Sequence, residues 1–255
     1  MNEPRHLTII TGASRGLGRA IASLLLEQPG QHLIAISRSS DPSLMNLGVI
    51  GRSEIEQWAH DLSDPVPVAA RLVDYLLAKD PSRFSTATII NNAGLMAPPR
   101  PLGRSSFDDI VQCLRVGLEA PMLLSSAFLR GTTEWPAARK ILNISSGLGS
   151  MARAGQAPYC AVKAGLDHFT RVMALEAVSQ PNGAKAVSQY PGVVDTEMQA
   201  ELRRADPAEF PEVSRFRALK EKGLLESPEA AARKVIACLN GGDFGAKTIV
   251  DLAAP

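Results

Sequence analysis

The chain has 255 residues, 45% hydrophobic and 21% charged, with a formal net charge of +1. That is enough to bury one substantial core, and it suits a single α/β domain over 1–255 with one active site. No basic run interleaved with aromatics marks a nucleic-acid surface, and no apolar stretch reaches the roughly 20 residues that span a bilayer. The polar segment Met1 to Arg5 lacks the layout of a secretion signal, and Cys113, Cys160 and Cys238 are too scattered for a disulfide framework or a zinc site. A cytoplasmic protein without nucleic-acid, membrane or metal partners is expected.

In chain order, the pattern predicts a strand at Leu7 to Thr11, a helix at Arg19 to Glu27 and a strand at His32 to Ser37. Arg38 to Arg52 reads as a variable loop. A weaker strand near Ile55 to Ala59 follows, then a helix over Val66 to Leu77, a strand at Ala87 to Asn91 and a helix over Phe107 to Leu129. The second half repeats the theme: strand Lys140 to Ser145, helix Tyr159 to Val178, strand Ala184 to Tyr190, helix Pro228 to Leu239, strand Lys247 to Leu252. Runs such as Thr88-Ile89-Ile90 and Ile141-Leu142-Asn143-Ile144 have no polar alternate face, as parallel strands covered on both sides require. The fold expected is a doubly wound, Rossmann-like parallel sheet of about seven strands with helices on both faces. Between 193 and 226 a Pro-interrupted, charge-rich stretch is too long for an ordinary connection and reads as a short helical substrate lid. Ser227-Pro228-Glu229 marks the start of the next helix with a cap and a proline at its first position.

Ligands of such sheets sit beyond the carboxyl ends of the strands, so the residues just after each strand carry the functional signal. After the first strand comes Thr11-Gly12-Ala13-Ser14-Arg15-Gly16-Leu17-Gly18. Read by its glycines, this is a phosphate cradle at a helix N-terminus, or else an ordinary glycine-rich turn. The second strand ends in Ser37-Arg38, not in the carboxylate that would take a ribose 2′-hydroxyl. Arg15 and Arg38 together suit a 2′-phosphate, which favours NADPH over NADH, although either alone would be an ordinary surface arginine. Tyr159 and Lys163 are four apart on a helical segment and share a face. Ser146 follows one strand, and Asn91-Asn92-Ala93-Gly94 ends another.

With TGASRGLG (11–18), Asp61-Leu62, NNAG (91–94), NISS (143–146), YCAVK (159–163) and PGVVDT (191–196) in this order, the chain resembles the short-chain dehydrogenase/reductase family over nearly its whole length. The resemblance implies that Tyr159 protonates the substrate carbonyl oxygen, that Ser146 donates a hydrogen bond to that oxygen, and that Lys163 serves both the ribose and the tyrosine. It implies cofactor contacts from Gly12, Ser14, Arg15, Gly16, Leu17, Gly18 and Arg38, with Asp61 and Leu62 at the adenine and Asn91, Ala93 and Gly94 near the adenosine ribose. Pro191, Gly192, Val193 and Thr196 fall on the nicotinamide side. The ammonium of Lys163, with the cationic nicotinamide, is expected to lower the Tyr159 pKa. One departure stands out. Where the family has an asparagine, in a segment like VNLxAP, this chain reads Val116-Gly117-Leu118-Glu119-Ala120-Pro121. A water, Asn91 or another side chain must then replace that amide, or turnover is slow.

Within the family the chain is similar to sepiapterin reductases and diketone (benzil) reductases through YCAVKAG, the DTEMQAELR run and GAKTIVD. That likeness places Asp251 where a pterin's amino groups would be anchored, unless it is a solvated carboxylate. Leu148, Met151, Met198, Phe210 and Phe216 fall on loops beside the site and could line an apolar pocket. Leu166, Phe169, Val172, Met173 and Leu175 read as core or subunit interface, and the family suggests a homodimer or homotetramer through this helix and the one from Phe107. His6, His32, His60 and His168 lack ligand spacing and read as structural. A reductase of small carbonyl compounds is expected, with an NADPH-binding sensor of low turnover as the rival reading.

Overall fold

The computed structural model describes residues 5–253; Met1–Pro4 of the polar leading segment, and Ala254–Pro255, lie outside the described residues. Its elements run β1 (Arg5–Thr11), α1 (Gly16–Leu26), β2 (Gln31–Ser37), α2 (Pro42–Gly51), β3 (Glu54–Ala59), α3 (Val66–Leu77), β4 (Phe84–Asn91), α4 (Phe107–Leu114) and α5 (Ala120–Gly131). Then come β5 (Ala138–Ile144), α6 (Ala157–Val178), β6 (Lys185–Tyr190), α7 (Glu197–Arg204), α8 (Val213–Glu221), α9 (Pro228–Asn240) and β7 (Ile249–Asp251). Seven strands make one sheet in the order β3-β2-β1-β4-β5-β6-β7, every pair parallel. Because β1 is flanked by β2 and β4, the crossovers leave it in opposite directions, which opens a crevice at the carboxyl ends of the central strands.

The continuous apolar strands are explained by two cores. Ile9, Ile89 and Ile141 face the core under α3 and α5, while their neighbours Ile10, Ile90 and Leu142 face the one under α1 and α9. With a period of two, adjacent residues supply opposite layers, and no alternate position is left for a polar side chain. No helix among the described residues is long and apolar enough to cross a membrane.

Two expectations are corrected. The stretch read as a loop, Arg38 to Arg52, contains α2: Asp41 caps it by accepting from the Ser43 N–H, Pro42 stands in the first turn, and Arg52 ends it in the left-handed conformation at φ 56°. Gly48 and Gly51 dilute the helical pattern there, yet Leu44 is fully buried. The helix expected over Phe107 to Leu129 is interrupted by a π turn at Arg115–Glu119. Pro121 has no N–H for the carbonyl four residues back and its ring crowds that carbonyl, which belongs to Gly117; the wider turn relieves both.

Residues 193–226 form α7 and α8 on a neck closed by pairing of Val194 with Glu226. This stretch is not wholly polar: Leu202, Phe210, Val213 and Phe216 make a small core of their own, against which Met96 packs. Three of the four histidines are satisfied structurally, His32 buried between Glu54 and Tyr75, His6 bonding Thr86 and His60 bonding the Asp64 carbonyl, while His168 is exposed on α6.

Candidate active site

A cleft of about 1070 Å³ runs along the carboxyl ends of the strands, and every site residue expected from the sequence lines it except Asn91 and Phe210. At its centre the glycine loop turns from β1 into α1. Gly12 and Gly16 adopt φ values of +71° and +55°, which side chains rarely tolerate, and a Cβ on Gly18 would stand 2.2 Å from the Gly12 carbonyl oxygen. The N-cap of α1 is Arg15, whose side chain makes no capping hydrogen bond. The first N–H groups of α1 therefore lack a side-chain acceptor and suit a diphosphate, with the helix dipole assisting. Thr11 locks the loop to β4: its hydroxyl accepts from the N–H groups of Asn92 and Ala93, each at 3.0 Å.

Asn91 is not on the lining of the cleft. It is 2% exposed, and its amide donates to Asn143 Oδ1 at 2.8 Å and to Ser125 Oγ at 3.0 Å. Asn143 in turn donates to Thr170. This buried ladder ties β4, β5, α5 and α6 beneath the floor of the cleft, and Asn92 is the residue that lines it. Both amide protons of Asn91 are committed to this ladder, while its Oδ1 has no hydrogen-bond partner among the described residues.

Arg15 and Arg38 are exposed side chains on the lining of the cleft, which also includes Asp61 and Leu62. A hydrogen bond from the Ser63 N–H, and then Arg38 and His60, hold the Asp61 carboxyl below the usual range. Ser37, in the position of a ribose-binding carboxylate, turns its hydroxyl to the Ser39 carbonyl.

In the same cleft, Ser146, Tyr159 and Lys163 converge from β5 and α6. Ser146 caps a short 3-10 turn and accepts from the Leu148 N–H at 3.2 Å. Tyr159 packs one side against Ala97, Cys113 and Val162, and Lys163 Nζ lies 5.5 Å from its ring centroid. Lys163 is buried and donates to the Ile144 carbonyl at 2.8 Å. Burial lowers its pKa to about 8, partly offset by Asp167 and Cys113. The tyrosine differs from expectation: burial pushes the phenol up, Cys113 adds to this, and the Ser146 hydroxyl only partly opposes it. Among the protein's own groups desolvation outweighs the cation, and Tyr159 holds its proton firmly.

Gly117 is accounted for by packing. A Cβ there would stand 2.5 Å from Val162 Cγ1, so the space an asparagine would need is filled by the side chain next to Lys163. The lysine is anchored from β5 through Ile144 instead.

Beyond Tyr159 the cleft is apolar and rich in sulfur, with Met96, Leu148, Met151, Met198, Phe216 and Leu219 on its walls. Phe210 is not among them; it is 0% exposed and stacks on Phe216 within the small core of 193–226. Sequence reasoning missed Met96, Arg153 and Tyr190. Arg153 pairs with Glu212 at 3.1 Å and stands over Phe216, fastening α8 to the loop before α6. Only Tyr190 had a local signal, its place before the Pro191-Gly192 turn.

Residues 6–207 match the model of the short chain dehydrogenase family. The chain is 37% identical over 236 residues to a benzil reductase ((S)-benzoin forming) of Bacillus cereus, covering 92% of this chain and 94% of that one. It is 35% identical over 237 residues to the protein of the same description from Bacillus subtilis (strain 168), covering 93% and 94%. Among solved structures it resembles the KRED1-Pglu enzyme, with a TM-score of 0.80 and 26% identity over 96% of this chain and 99% of that one.

Proposed function

The chain belongs to the short chain dehydrogenase family, whose members use nicotinamide cofactors on carbonyl and hydroxyl groups, and on that premise we propose that it is an NADPH-dependent reductase of aromatic 1,2-diketones of the benzil kind. The observation that carries this reading is the meeting, in one cleft, of Ser146, Tyr159 and Lys163 with a wall of three methionines and Phe216. Thioethers and aromatic edges make favourable contacts with aryl rings and adapt to their shape. Similarity to the two benzil reductases supports the same substrate class.

A nicotinamide cofactor, held by the glycine loop, Arg15 and Arg38, would supply the hydride when bound. Tyr159 donates its phenolic proton to the carbonyl oxygen, Ser146 donates a hydrogen bond to the same oxygen, and the buried Lys163 ammonium stabilises the phenolate left behind. A tyrosine whose phenol is pushed up by burial remains protonated through neutral pH, as a proton donor must. Arg15 and Arg38, with no carboxylate at the end of β2, support NADPH over NADH. Asp251 lines the cleft, and this keeps sepiapterin in view as a substrate. The exposed apolar side chains of Phe107, Val111, Met122 and Leu175 on α4, α5 and α6 support pairing of two copies through these helices.

The test is a panel of benzil, simple diketones and sepiapterin, followed by cofactor oxidation with NADPH and NADH. Benzil turnover with NADPH at least about tenfold more efficient than with NADH is expected. NADPH binding without oxidation by any member would favour a sensor and overturn the reading.

A further inference from the structure

One buried ionisable group has no part in the reaction as described. Asp167 lies one helical turn beyond Lys163 on α6 and is 2% exposed. Its carboxylate accepts from Ser188 Oγ at 2.5 Å and from the Tyr190 hydroxyl at 2.6 Å, both on β6. The loop that carries Ser146 closes over it: a Cβ on Gly149 would stand 2.2 Å from Asp167 Oδ2. A carboxylate sealed this way, with two neutral donors, is costly to ionise unless a cation shares its surroundings. The cation there is Lys163, which uses one of its three donors on Ile144.

We propose that Asp167 is a positioning residue for the reduction, keeping Lys163 charged and clamping the Tyr159/Lys163 helix to β6, in place of the support from the α4 side that Gly117 cannot give. It rests on the reading of Lys163 given above. The groups facing Lys163 are Tyr159 and Asp167 from α6, Cys113 from α4 and the Ile144 carbonyl from β5; Ser188 and Tyr190 of β6 reach it through Asp167, with Arg171 near the Tyr190 hydroxyl. Burial raises both the Cys113 thiol and the Tyr159 phenol, so both are neutral at pH 7, and Asp167 is the one carboxyl in this set. The clamp also reaches the cleft, because Tyr190 leads directly into Pro191-Gly192. An anion held one turn away raises the pKa of a buried amine, so its removal lets the amine lose its proton at lower pH.

Asp167→Asn, Ser188→Ala and the parent are compared by the pH profile of kcat/KM. The alkaline limb is expected to fall by about one pH unit in Asp167→Asn and to stay in place in Ser188→Ala, which keeps the charge and loses one hydrogen bond. An Asp167→Asn protein that is merely slower, with its limb at the parental pH, overturns the proposal while leaving the reductase reading intact. Denaturant unfolding decides independently of activity. Asp167→Asn should shift the midpoint strongly in the parent and at most half as much in a Lys163→Met background, where no buried ammonium is left unpaired. Equal shifts in the two backgrounds would overturn it. If Asp167→Asn alone does not fold, folding of Lys163→Met/Asp167→Asn supports the proposal and failure of that pair overturns it.

Discussion

The family asparagine cannot be restored at Gly117 by a single substitution. A Cβ placed there meets Val162 Cγ1 at 2.5 Å and its Cβ at 3.7 Å. Val162 is 1% exposed, and as a β-branched residue within α6 it has one favoured rotamer, so it cannot swing aside. Overpacking of this kind costs about 1–3 kcal/mol, whereas replacing glycine by asparagine in a helical turn returns only about 0.3 kcal/mol. Gly117→Asn should therefore destabilise the fold by roughly 1–2.5 kcal/mol, a fall of about 2–10 °C in Tm for a chain of this size. Since Lys163 follows Val162 directly, the displacement should also lower kcat/KM. The check is denaturant unfolding of a double-mutant cycle with Val162→Ala. Truncating Val162 should cost clearly less in the Gly117→Asn background than in the parent, because there it removes the clash. A Gly117→Asn protein as stable as its parent, or a Val162→Ala cost that is the same in both backgrounds, would refute the packing argument.

Tyr159→Phe should leave the fold intact and lower kcat/KM by about 10²–10⁴-fold, the usual worth of general acid catalysis; a rate within threefold of the parent on the best substrate would remove the tyrosine from the mechanism. Arg38→Asp should reverse cofactor preference, raising KM for NADPH by about tenfold or more and lowering it for NADH, with fluorescence titration as a check free of turnover. Lys163 has a folded pKa near 8 against 10.5 for the free side chain. Above pH 8 the unfolded chain binds more protons than the folded one, and stability rises with pH by up to about 1.4 kcal/mol per unit. Between pH 8 and 9, before the thiols and phenols raised by burial oppose it, that slope should be present in the parent and reduced in Lys163→Met. Parallel stability curves for the two proteins would contradict it.

The strands and their two-sided burial were legible because parallel strands need apolar residues at every position, a local property of runs such as Ile89-Ile90 and Ile141-Leu142. So were the glycine loop and the Tyr159–Lys163 pair, since positive φ and helical spacing are written in neighbouring residues. Helix α2 was missed although Asp41-Pro42 announced it, because two glycines blurred the periodicity. The break at Arg115–Glu119 was equally present in Pro121, but only its backbone consequence reveals it. What tertiary structure alone decided is how groups far apart in the chain share or deny one another space. Asn143 and Ser125 claim Asn91 and leave the cleft to Asn92, Val162 fills the gap at Gly117, and a single closed core hides Phe210. Asp167 and Lys163 were readable as an i, i+4 pair, yet their isolation from water depends on β6 and the loop at Gly149 meeting over them. Desolvation, which sets the charge states of Lys163 and Tyr159, is a property of the whole packed neighbourhood, whereas spacing along the chain can report only which side chains share a face.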